Sequence, residues 1–287
     1  MSVLKEIANA KVNLSLRVID VQSNGFHDLE MLNICVGLSD HIELKPSDEN
    51  SVHISGSIDE EMLALVPTDE TNIAHRATAL LSELRHDDAK WEIHIDKNIP
   101  VGAGLGGGSA DAAAVLRLLD GNTKSNIELA LQLGADVPYC VFEKPAIVRG
   151  VGEIIEAVDL GDTLNLVIVN PGIALSTKDV FAAFDRHFVK KTSQNSSINA
   201  LCESLNLKNY KRVSELLVND LEFTACSLKP ELNRIKSDLV ESGAFAAAMS
   251  GSGSSFFGLF SSFEAAEKGA STLVGQYPLV HACRSII

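Results

Sequence analysis

Strict alternation of apolar and polar residues predicts the first strand of the chain. Over positions 11–18 the apolar residues Val12, Leu14, Leu16 and Val18 alternate with Lys11, Asn13, Ser15 and Arg17. Successive side chains of a strand point to opposite faces, so the apolar set predicts a core face and Lys11 and Asn13 share the other face. A solvated sheet surface has the same pattern. Further strands are predicted at about 30–38, 41–45 and 51–55, so the opening third is expected to be mostly antiparallel sheet.

Helical periodicity and a second alternating strand follow. The periodicity of residues 71–84 predicts a helix whose inward-facing stripe is Ile73, Ala77, Leu80, Leu81 and Leu84. The alternation of residues 91–97 predicts a strand with one solvent-exposed face. After a glycine-rich stretch, a helix is predicted with Ala112, Val115, Leu116 and Leu119 on one face. Another helix is expected from Ser125, which forms a capping box with Glu128, to a C-terminal cap at Gly134. A hairpin of two strands, 140–149 and 153–158, is expected after it.

The second half predicts an α+β arrangement that begins with a short buried strand at 166–169. Ser176 and Asp179 form a capping box for a helix through Phe188, and the polar stretch 190–197 is predicted to be a mobile loop. The remaining predictions are helices at 209–218, 230–241 and 263–273 and strands at 244–249, 255–260 and 279–283. Strands and helices that are segregated in this way favour the α+β class.

The glycine-rich stretch from Pro100 to Asp111 is the strongest chemical signal in the sequence. Five glycines fall within seven residues directly before the predicted helix. Glycine lets backbone N–H groups point at a ligand, and a helix N-terminus attracts anions, so a nucleotide phosphate is the expected ligand. A flexible surface turn is the plain alternative, but such a turn needs only one or two glycines.

Two familiar phosphate loops are compared with this stretch. The Walker A pattern fails because Gly108 stands where its lysine should be. The dinucleotide pattern matches at Gly102, Gly104 and Gly107, which keeps a nicotinamide-dependent oxidoreductase open as an alternative. Against it, the strand at 91–97 alternates with polar residues, whereas a central parallel strand would be apolar on both faces.

Composition excludes some classes of function. The chain has 287 residues, 46% of them hydrophobic, and a formal net charge of −14. Such an acidic protein is a poor general binder of nucleic acids and of anionic membranes. The five scattered cysteines contain no CxxC pair, which predicts reduced thiols and a cytoplasmic location, and neither a signal peptide nor a membrane span is expected.

Two further stretches carry candidate chemistry. Asp136 follows a predicted helix and is held by Val137-Pro138, although spacing alone favours a simple cap for the next turn. Ser250-Gly251-Ser252-Gly253-Ser254 contains more small residues than a hairpin turn needs.

Five separated motifs together resemble the GHMP kinases, and within them the branch that phosphorylates 4-diphosphocytidyl-2-C-methyl-D-erythritol. They are Ala10-Lys11-Val12-Asn13-Leu14, Gly25-Phe26-His27-Asp28, the glycine stretch 100–113, Leu133-Gly134-Ala135-Asp136-Val137-Pro138 and Met249–Gly253. The glycine stretch alone indicates only the superfamily, whereas Gly25–Asp28 and the Gly-Gly-Gly-Ser form of the loop indicate the branch. The departures are small: Phe26 stands where tyrosine is common, Ala110 where serine is common, and 143–145 are less glycine-rich than usual.

The resemblance implies a two-domain fold with its active site in the cleft between the domains. An ATP-binding domain with the topology of a ribosomal protein is expected over 1–158, and a ferredoxin-like α+β domain over 159–287. The implied reaction transfers a phosphoryl group from ATP, with Mg²⁺, to a hydroxyl of a small cytidine diphosphate derivative. No nucleic-acid or membrane partner is expected, and the sequence leaves the oligomeric state open.

The resemblance also assigns site residues. Asp136 is implied as general base and Lys11 as the active-site lysine that steadies charge on the transferring group. ATP is expected to contact Pro100, Gly102, Gly104, Leu105, Gly106, Gly107, Gly108 and Ser109, and Ser109 is also a candidate ligand of Mg²⁺. Substrate is expected to contact Asn13, Phe26, His27, Thr177, Phe181 and Gly251, the aromatic residues and His27 holding the cytosine.

Other functions remain as alternatives. A GHMP kinase acting on homoserine or a mevalonate derivative is the nearest one, but such an enzyme has no reason to keep the Phe26-His27 pair. A non-catalytic nucleic-acid binder is opposed by the net charge of −14 and by the presence of both Lys11 and Asp136.

Overall fold

The computed structural model describes residues 3–120, 124–188 and 197–287, and it divides the chain into two compact units. The first unit comprises the residues up to Lys11, Leu38–Val101 and Gly106–Glu143. The second comprises Val12–Gly37, Gly102–Leu105 and Lys144–Ile287. The division passes through the first two strands and through the glycine stretch. A domain boundary at 158/159 stays a prediction.

The elements alternate irregularly along the chain. The strands are β1 Leu4–Val21, β2 His27–Ser47, β3 Ser51–Gly56, β4 Lys90–Lys97, β5 Ala146–Gly150, β6 Ile154–Ala157, β7 Asn165–Asn170, β8 Ala246–Met249, β9 Phe256–Phe260 and β10 Leu279–Ile286. The helices are α1 Glu60–Leu63, α2 Ile73–Arg85, α3 Gly107–Asp120, α4 Lys124–Ala130, α5 Val137–Phe142, α6 Thr177–Asp185, α7 Ser197–Asn206, α8 Tyr210–Leu216, α9 Glu222–Leu228, α10 Ile235–Glu241 and α11 Phe263–Leu273, with a 3₁₀ turn at Pro230–Arg234.

The first unit is built around β4, which lies between two other strands. It pairs antiparallel with the later part of β2, with His41 opposite Asp96, and parallel with β3, with His53 opposite His94. The inward side chains of β4 join a core to which α2 and α3 contribute. Residues 110–116 of α3 are all buried, so this helix is enclosed on every side, as its run of alanines allows.

The second unit contains an antiparallel sheet in the order β10-β7-β9-β8. The early part of β2 pairs antiparallel with β10 and with β5, and β5 forms a hairpin with β6. Helices α10 and α11 pack against the sheet and supply buried apolar residues. This arrangement confirms the prediction of an α+β fold.

The alternating pattern of β1 predicts its core face correctly but not the environment of its polar face. Val12, Leu14, Leu16 and Val18 are buried as expected. However, Lys11, Asn13 and Ser15 are buried as well, so the interpretation of this face as a solvated sheet surface is wrong. The separate strands predicted at 30–38 and 41–45 are also wrong, because β2 runs unbroken from His27 to Ser47. Asp40, where a break was expected, is a buried partner of Lys97.

Several helices differ from the prediction. Residues 140–142, expected in a strand, form the end of α5, and only the later part of the predicted hairpin is confirmed as β5 and β6. Helix α4 starts one residue before Ser125 and ends at Ala130, short of Gly134. Leu84, predicted in the inward-facing stripe of α2, is exposed, whereas Ala74, which was not predicted there, is buried. The pattern missed α1, α5, α7 and α9.

The remaining segments of the second half largely follow the predictions. Ser176 caps α6 by accepting a hydrogen bond from the Asp179 N–H, but α6 ends at Asp185 rather than at Phe188. The predicted mobile loop at 190–197 lies outside the described residues, apart from Ser197, which begins α7. Within the described ranges, no helix is long and apolar enough to cross a membrane.

Candidate active site

Lys11 and Asp136 form an ion pair in the first unit. Lys11 Nζ lies 3.6 Å from Asp136 Oδ2. Asp136 stands at the start of α5, yet its side chain makes no capping hydrogen bond with that helix. The interpretation of Asp136 as a simple cap, which spacing alone favoured, is therefore wrong. Its carboxylate instead faces Lys11. The lysine side chain is 4% exposed and the aspartate side chain 39% exposed, so the carboxylate is open to a ligand or to water.

Glycine is required where the glycine stretch passes over Lys11. Gly106 has a φ of +69°, and a Cβ there would lie 2.9 Å from Lys11 Cγ. Helix α3 begins at the next residue, Gly107. The first N–H groups of a helix have no partner within it, so this turn offers free donors beside a lysine. In the first unit, Pro100 is buried, Ser109 is half-buried and Gly108 is exposed.

A second lysine, Lys97, links the start of α3 to the neighbouring strands. Lys97, at the end of β4, lies with Nζ 2.7 Å from Asp111 Oδ2 of α3 and also bonds Asp40. Asp40 Oδ1 in turn accepts the backbone N–H groups of Asn98 and Ile99, at 2.6 and 2.8 Å. The three side chains, here called the buried charge cluster, join β2, β4 and α3 directly before and after the glycine stretch.

The buried charge cluster was missed by sequence reasoning, although a signal was present. Lys97 has the same strand parity as Ile93 and Ile95, so the alternation of β4 places a lysine on its apolar face. Burial raises the pKa of Asp111 to about 8, and the nearby Asp40 carboxylate adds to the rise while Lys97 opposes it. Burial alone would lower the pKa of Lys97, but the charges of Asp111 and Asp40 outweigh it and raise that pKa.

The first half of the glycine stretch packs on the serine–glycine loop in the second unit. Ser250 Oγ donates to Gly104 O at 2.9 Å, and Ser255 N–H donates to Ala103 O at 3.0 Å. A Cβ on Gly104 would lie 2.1 Å from Ser250 O, and one on Gly251 would lie 2.9 Å from Gly104 O. Both glycines therefore permit a close approach of two backbones.

Other members of the stretch are held in the same unit. Leu105 is buried, and Gly102 O accepts the Leu175 N–H at 3.3 Å. Asn219, which the sequence did not single out, donates to the carbonyl oxygens of Met249 and Gly251, each at 2.8 Å.

His27 and Phe181 come together in the second unit. Their ring centroids are 4.3 Å apart with the planes tilted by 34°. His27 Nε2 lies 2.7 Å from Asp185 Oδ1, a partner one turn beyond Phe181 on α6 that the sequence reasoning missed. Phe26, in the turn before β2, is 59% exposed. The aromatic residues predicted to hold a base are thus a contacting pair and an exposed neighbour.

Asn13 and Thr177 are each engaged within the second unit. Asn13 is buried; its side-chain amide donates to Asn33 Oδ1 at 2.7 Å, and its N–H donates to Ser250 Oγ at 3.2 Å. Thr177 Oγ1 lies 2.8 Å from Ser252 Oγ. Their predicted contacts with substrate stay predictions, as do the roles of the other site residues.

Comparison with known families gives two matches. The model of the GHMP kinases N terminal domain matches residues 72–144, and the model of the GHMP kinases C terminal matches residues 198–279. The first match contains the glycine stretch and Asp136.

Two relatives that match over nearly their full length carry the same name. A 4-diphosphocytidyl-2-C-methyl-D-erythritol kinase of Clostridioides difficile is 35% identical over 99% of this chain and 96% of its own. One of Citrifermentans bemidjiense is 40% identical over 95% of each chain.

Solved structures agree with these relatives. A crystal structure of 4-(cytidine 5'-diphospho)-2C-methyl-D-erythritol kinase is similar with a TM-score of 0.81 and 31% identity, covering 98% of this chain and 99% of the other. Homoserine kinase from Cytophaga hutchinsonii has a TM-score of 0.73 at 20% identity, covering 100% and 95%, and shares the fold.

Proposed function

Because the chain belongs to the GHMP kinases, in the branch of the 4-diphosphocytidyl-2-C-methyl-D-erythritol kinases, we propose that it phosphorylates the 2-hydroxyl of 4-diphosphocytidyl-2-C-methyl-D-erythritol with ATP. This reaction belongs to the non-mevalonate route to isoprenoids, and we propose that it takes place in the cytoplasm. The observation that carries the proposal is the Lys11–Asp136 pair, with its open carboxylate, in the same unit as the start of α3.

Asp136 is the proposed general base. Its partly exposed carboxylate accepts the proton of the acceptor hydroxyl as the new oxygen–phosphorus bond forms and the bond to ADP breaks. Lys11 Nζ, 3.6 Å away, keeps this carboxylate in position and offsets negative charge on the phosphoryl group in transit. The small exposed fraction of Lys11 strengthens its electrostatic effect, because little water screens it.

The phosphates of ATP are proposed to bind at the first turn of α3. Gly106, Gly107 and Gly108 bring the main chain close, and Ser109 adds a hydroxyl. The donors are fixed before the ligand arrives, since the buried charge cluster ties α3 to β4. Fixed donors lose little free energy to reorganisation when charge develops on the transferring group.

Magnesium fits this donor set. Mg²⁺ prefers oxygen ligands and keeps several waters, so it needs few protein atoms besides phosphate oxygens. Ser109 is half-buried in the first turn of α3 and would hold the ion by its hydroxyl oxygen. Asp111 is buried and its Oδ2 is bound by Lys97, which suits a hydrated ion poorly. When bound, Mg²⁺ neutralises charge on the β- and γ-phosphates.

Phe26, His27 and Phe181 are the proposed cytosine contacts. Aromatic faces stack on nucleobases, and an exposed ring such as Phe26 can cover a base without displacing the core. Asp185 orients the His27 ring through its 2.7 Å contact with Nε2, so the other ring nitrogen is available to the base. Thr177 and Asn13 are proposed to position the acceptor end of the substrate.

The test is an acceptor panel. ADP release from ATP and Mg²⁺ is measured with 4-diphosphocytidyl-2-C-methyl-D-erythritol, homoserine and mevalonate, each with wild type and with Asp136→Asn. We expect turnover with the cytidyl acceptor alone, abolished or nearly so in the variant. Turnover with homoserine or mevalonate instead would support kinase activity but overturn the assignment of Phe26, His27 and Phe181 as cytosine contacts. ATP binding without turnover on any acceptor would overturn the proposed reaction.

A further inference from the structure

A compact group of metal-binding side chains lies on the outer face of the first unit's sheet. His94 and Glu92 belong to β4, two residues apart and therefore on the same face, and His53 of β3 stands directly opposite His94 in the parallel register. These three residues, here called the histidine cluster, share no residue with the proposed active site. On β4 the inward side chains are Ile93, Ile95 and Lys97, so the cluster lies on the opposite side of that strand.

The geometry of the histidine cluster suits a single ion. The two imidazole rings stack with centroids 4.8 Å apart and planes 24° from parallel. One ligand atom from each of the three residues lies within 4.8 Å of the others, and His94 Nε2 is hydrogen-bonded to Glu92. Ligand atoms around a tetrahedral zinc ion are about 3.3 Å apart, as bonds near 2.0–2.1 Å require. Small rotations of the exposed His53 and of the half-buried Glu92 and His94 side chains would close this difference.

A cation already contacts two of the three residues, His94 and Glu92. Lys45 of β2, opposite Glu92 in the register, places Nζ 3.2 Å from His94 Nε2 and 3.3 Å from Glu92 Oε1. The surroundings therefore favour positive charge at this point. The Lys45 side chain is 39% exposed, so its ammonium can move into water when another cation takes its place.

Open space adjoins the cluster on one side. A cavity of about 780 Å³ is lined by His94 together with Lys5, His41, Glu43, Ser55 and Asp96. A three-ligand site next to such a space keeps a coordination position for water or for a further ligand, which is the arrangement of open rather than closed zinc sites.

From this juxtaposition we propose that His53, Glu92 and His94 bind a divalent transition-metal ion of the type that zinc represents. Two imidazoles and a carboxylate form a donor set that zinc takes readily, whereas magnesium prefers oxygen ligands alone. The proposal makes Lys45 a competitor of the metal, because the ammonium and the ion use the same ligand atoms.

The experiment measures Zn²⁺ affinity by competition with a chromophoric chelator, using the full chain without nucleotide. We expect one tight Zn²⁺ ion per chain, at least tenfold weaker binding in His53→Gln and in His94→Gln, and tighter binding in Lys45→Met. His41→Gln is the matched control, since it removes an imidazole from the same sheet face and cavity without touching the cluster. This control is expected to stay within twofold of wild type.

Two further readouts keep the result specific. Co²⁺ in place of Zn²⁺ should give visible absorption without a thiolate charge-transfer band, which excludes the partly exposed Cys202 and Cys226 as ligands. Saturating Zn²⁺ should raise the melting temperature of wild type more than that of His53→Gln, because a ligand of the folded state stabilises it. Equal affinity in wild type and the double variant His53→Gln/His94→Gln would overturn the proposal, as would an equal loss in His41→Gln.

Discussion

Two lysine–aspartate pairs in the first unit have similar composition and opposite environments. Lys97 and Asp111 are each 3% exposed and 2.7 Å apart, and Asp40 completes their cluster. Lys11 and Asp136 are 3.6 Å apart, and the aspartate is 39% exposed. One carboxylate is enclosed by its partners, whereas the other is held by a lysine and remains accessible.

This difference separates a structural role from a chemical one. A buried ion pair that loses one partner leaves an uncompensated charge, so the Lys97 cluster is expected to matter for folding. The exposed Asp136 carboxylate is solvated with or without its lysine, so the loss of Lys11 should cost little stability. The same residue types thus hold the turn before α3 in one case and, in the other, supply the carboxylate that is proposed to react.

The largest expected effect is on turnover in Asp136→Asn. The amide cannot accept a proton from the acceptor hydroxyl, so kcat should fall by roughly 10²–10⁴. Affinity for ATP, measured by calorimetry, should stay nearly unchanged, since the phosphates are proposed to bind at α3. Full activity in this variant would remove Asp136 as the base and erase the contrast between the two pairs.

The next effect is on stability, and it compares two matched variants. Lys97→Met leaves Asp40 and Asp111 without their cation and should lower the free energy of unfolding by about 3–5 kcal/mol. Lys11→Met should lower it by no more than about 1 kcal/mol, because Asp136 remains in contact with water. Urea unfolding of both variants measures the difference. Similar losses in the two would show that both pairs are structural.

A smaller effect concerns the pH dependence of stability. Burial, with the charge of Asp40, raises the pKa of Asp111 from an ordinary 3.8 to about 8, so the folded chain binds this proton more tightly than the unfolded chain. This contribution to the free energy of unfolding is complete below about pH 4, declines as the pH rises, and levels off above about pH 8. Asp111→Asn should lack that decline.

Unfolding at pH 5.5, 7 and 8.5 tests the prediction for Asp111. The stability of wild type relative to Asp111→Asn should decrease steadily across this series. A difference that increases with pH would mean that the Asp111 carboxylate, rather than its protonated form, stabilises the fold.

The smallest effect comes from a residue that belongs to neither pair. Phe26→Ala removes an exposed ring proposed to stack on cytosine, and stacking contributes about 1–3 kcal/mol per base. The KM for the cytidyl acceptor should rise roughly tenfold, while kcat and the unfolding midpoint stay close to wild type. A fall in kcat with unchanged KM would instead assign Phe26 to the reacting end of the substrate.

The sequence predicted the elements of the site better than their surroundings. Alternation located β1 and β4, and glycine density located the turn before α3. Alternation assigns a residue to a face but does not say what covers that face, so it did not show whether Asn13 and Ser15 would be solvated, and both are buried. Short helices such as α5 were missed because six residues cannot show a helical period.

Partners distant in sequence were the other gap. Asp40 of β2 and Lys97 of β4 meet only because β2 continues through the position where a break was expected. Asp185 was not singled out because nothing in the local pattern of α6 indicates that it faces His27. Such contacts depend on tertiary packing, which local propensities do not determine.

The most direct test of the account is the ratio of two turnover numbers. ADP release with saturating 4-diphosphocytidyl-2-C-methyl-D-erythritol, ATP and Mg²⁺ is measured at pH 7 for Asp111→Asn and Asp136→Asn. We predict that Asp111→Asn stays within a few-fold of wild type and that Asp136→Asn is at least roughly 10² slower. Equal losses in the two variants, or a greater loss in Asp111→Asn, would contradict the division between a supporting pair and a reacting pair.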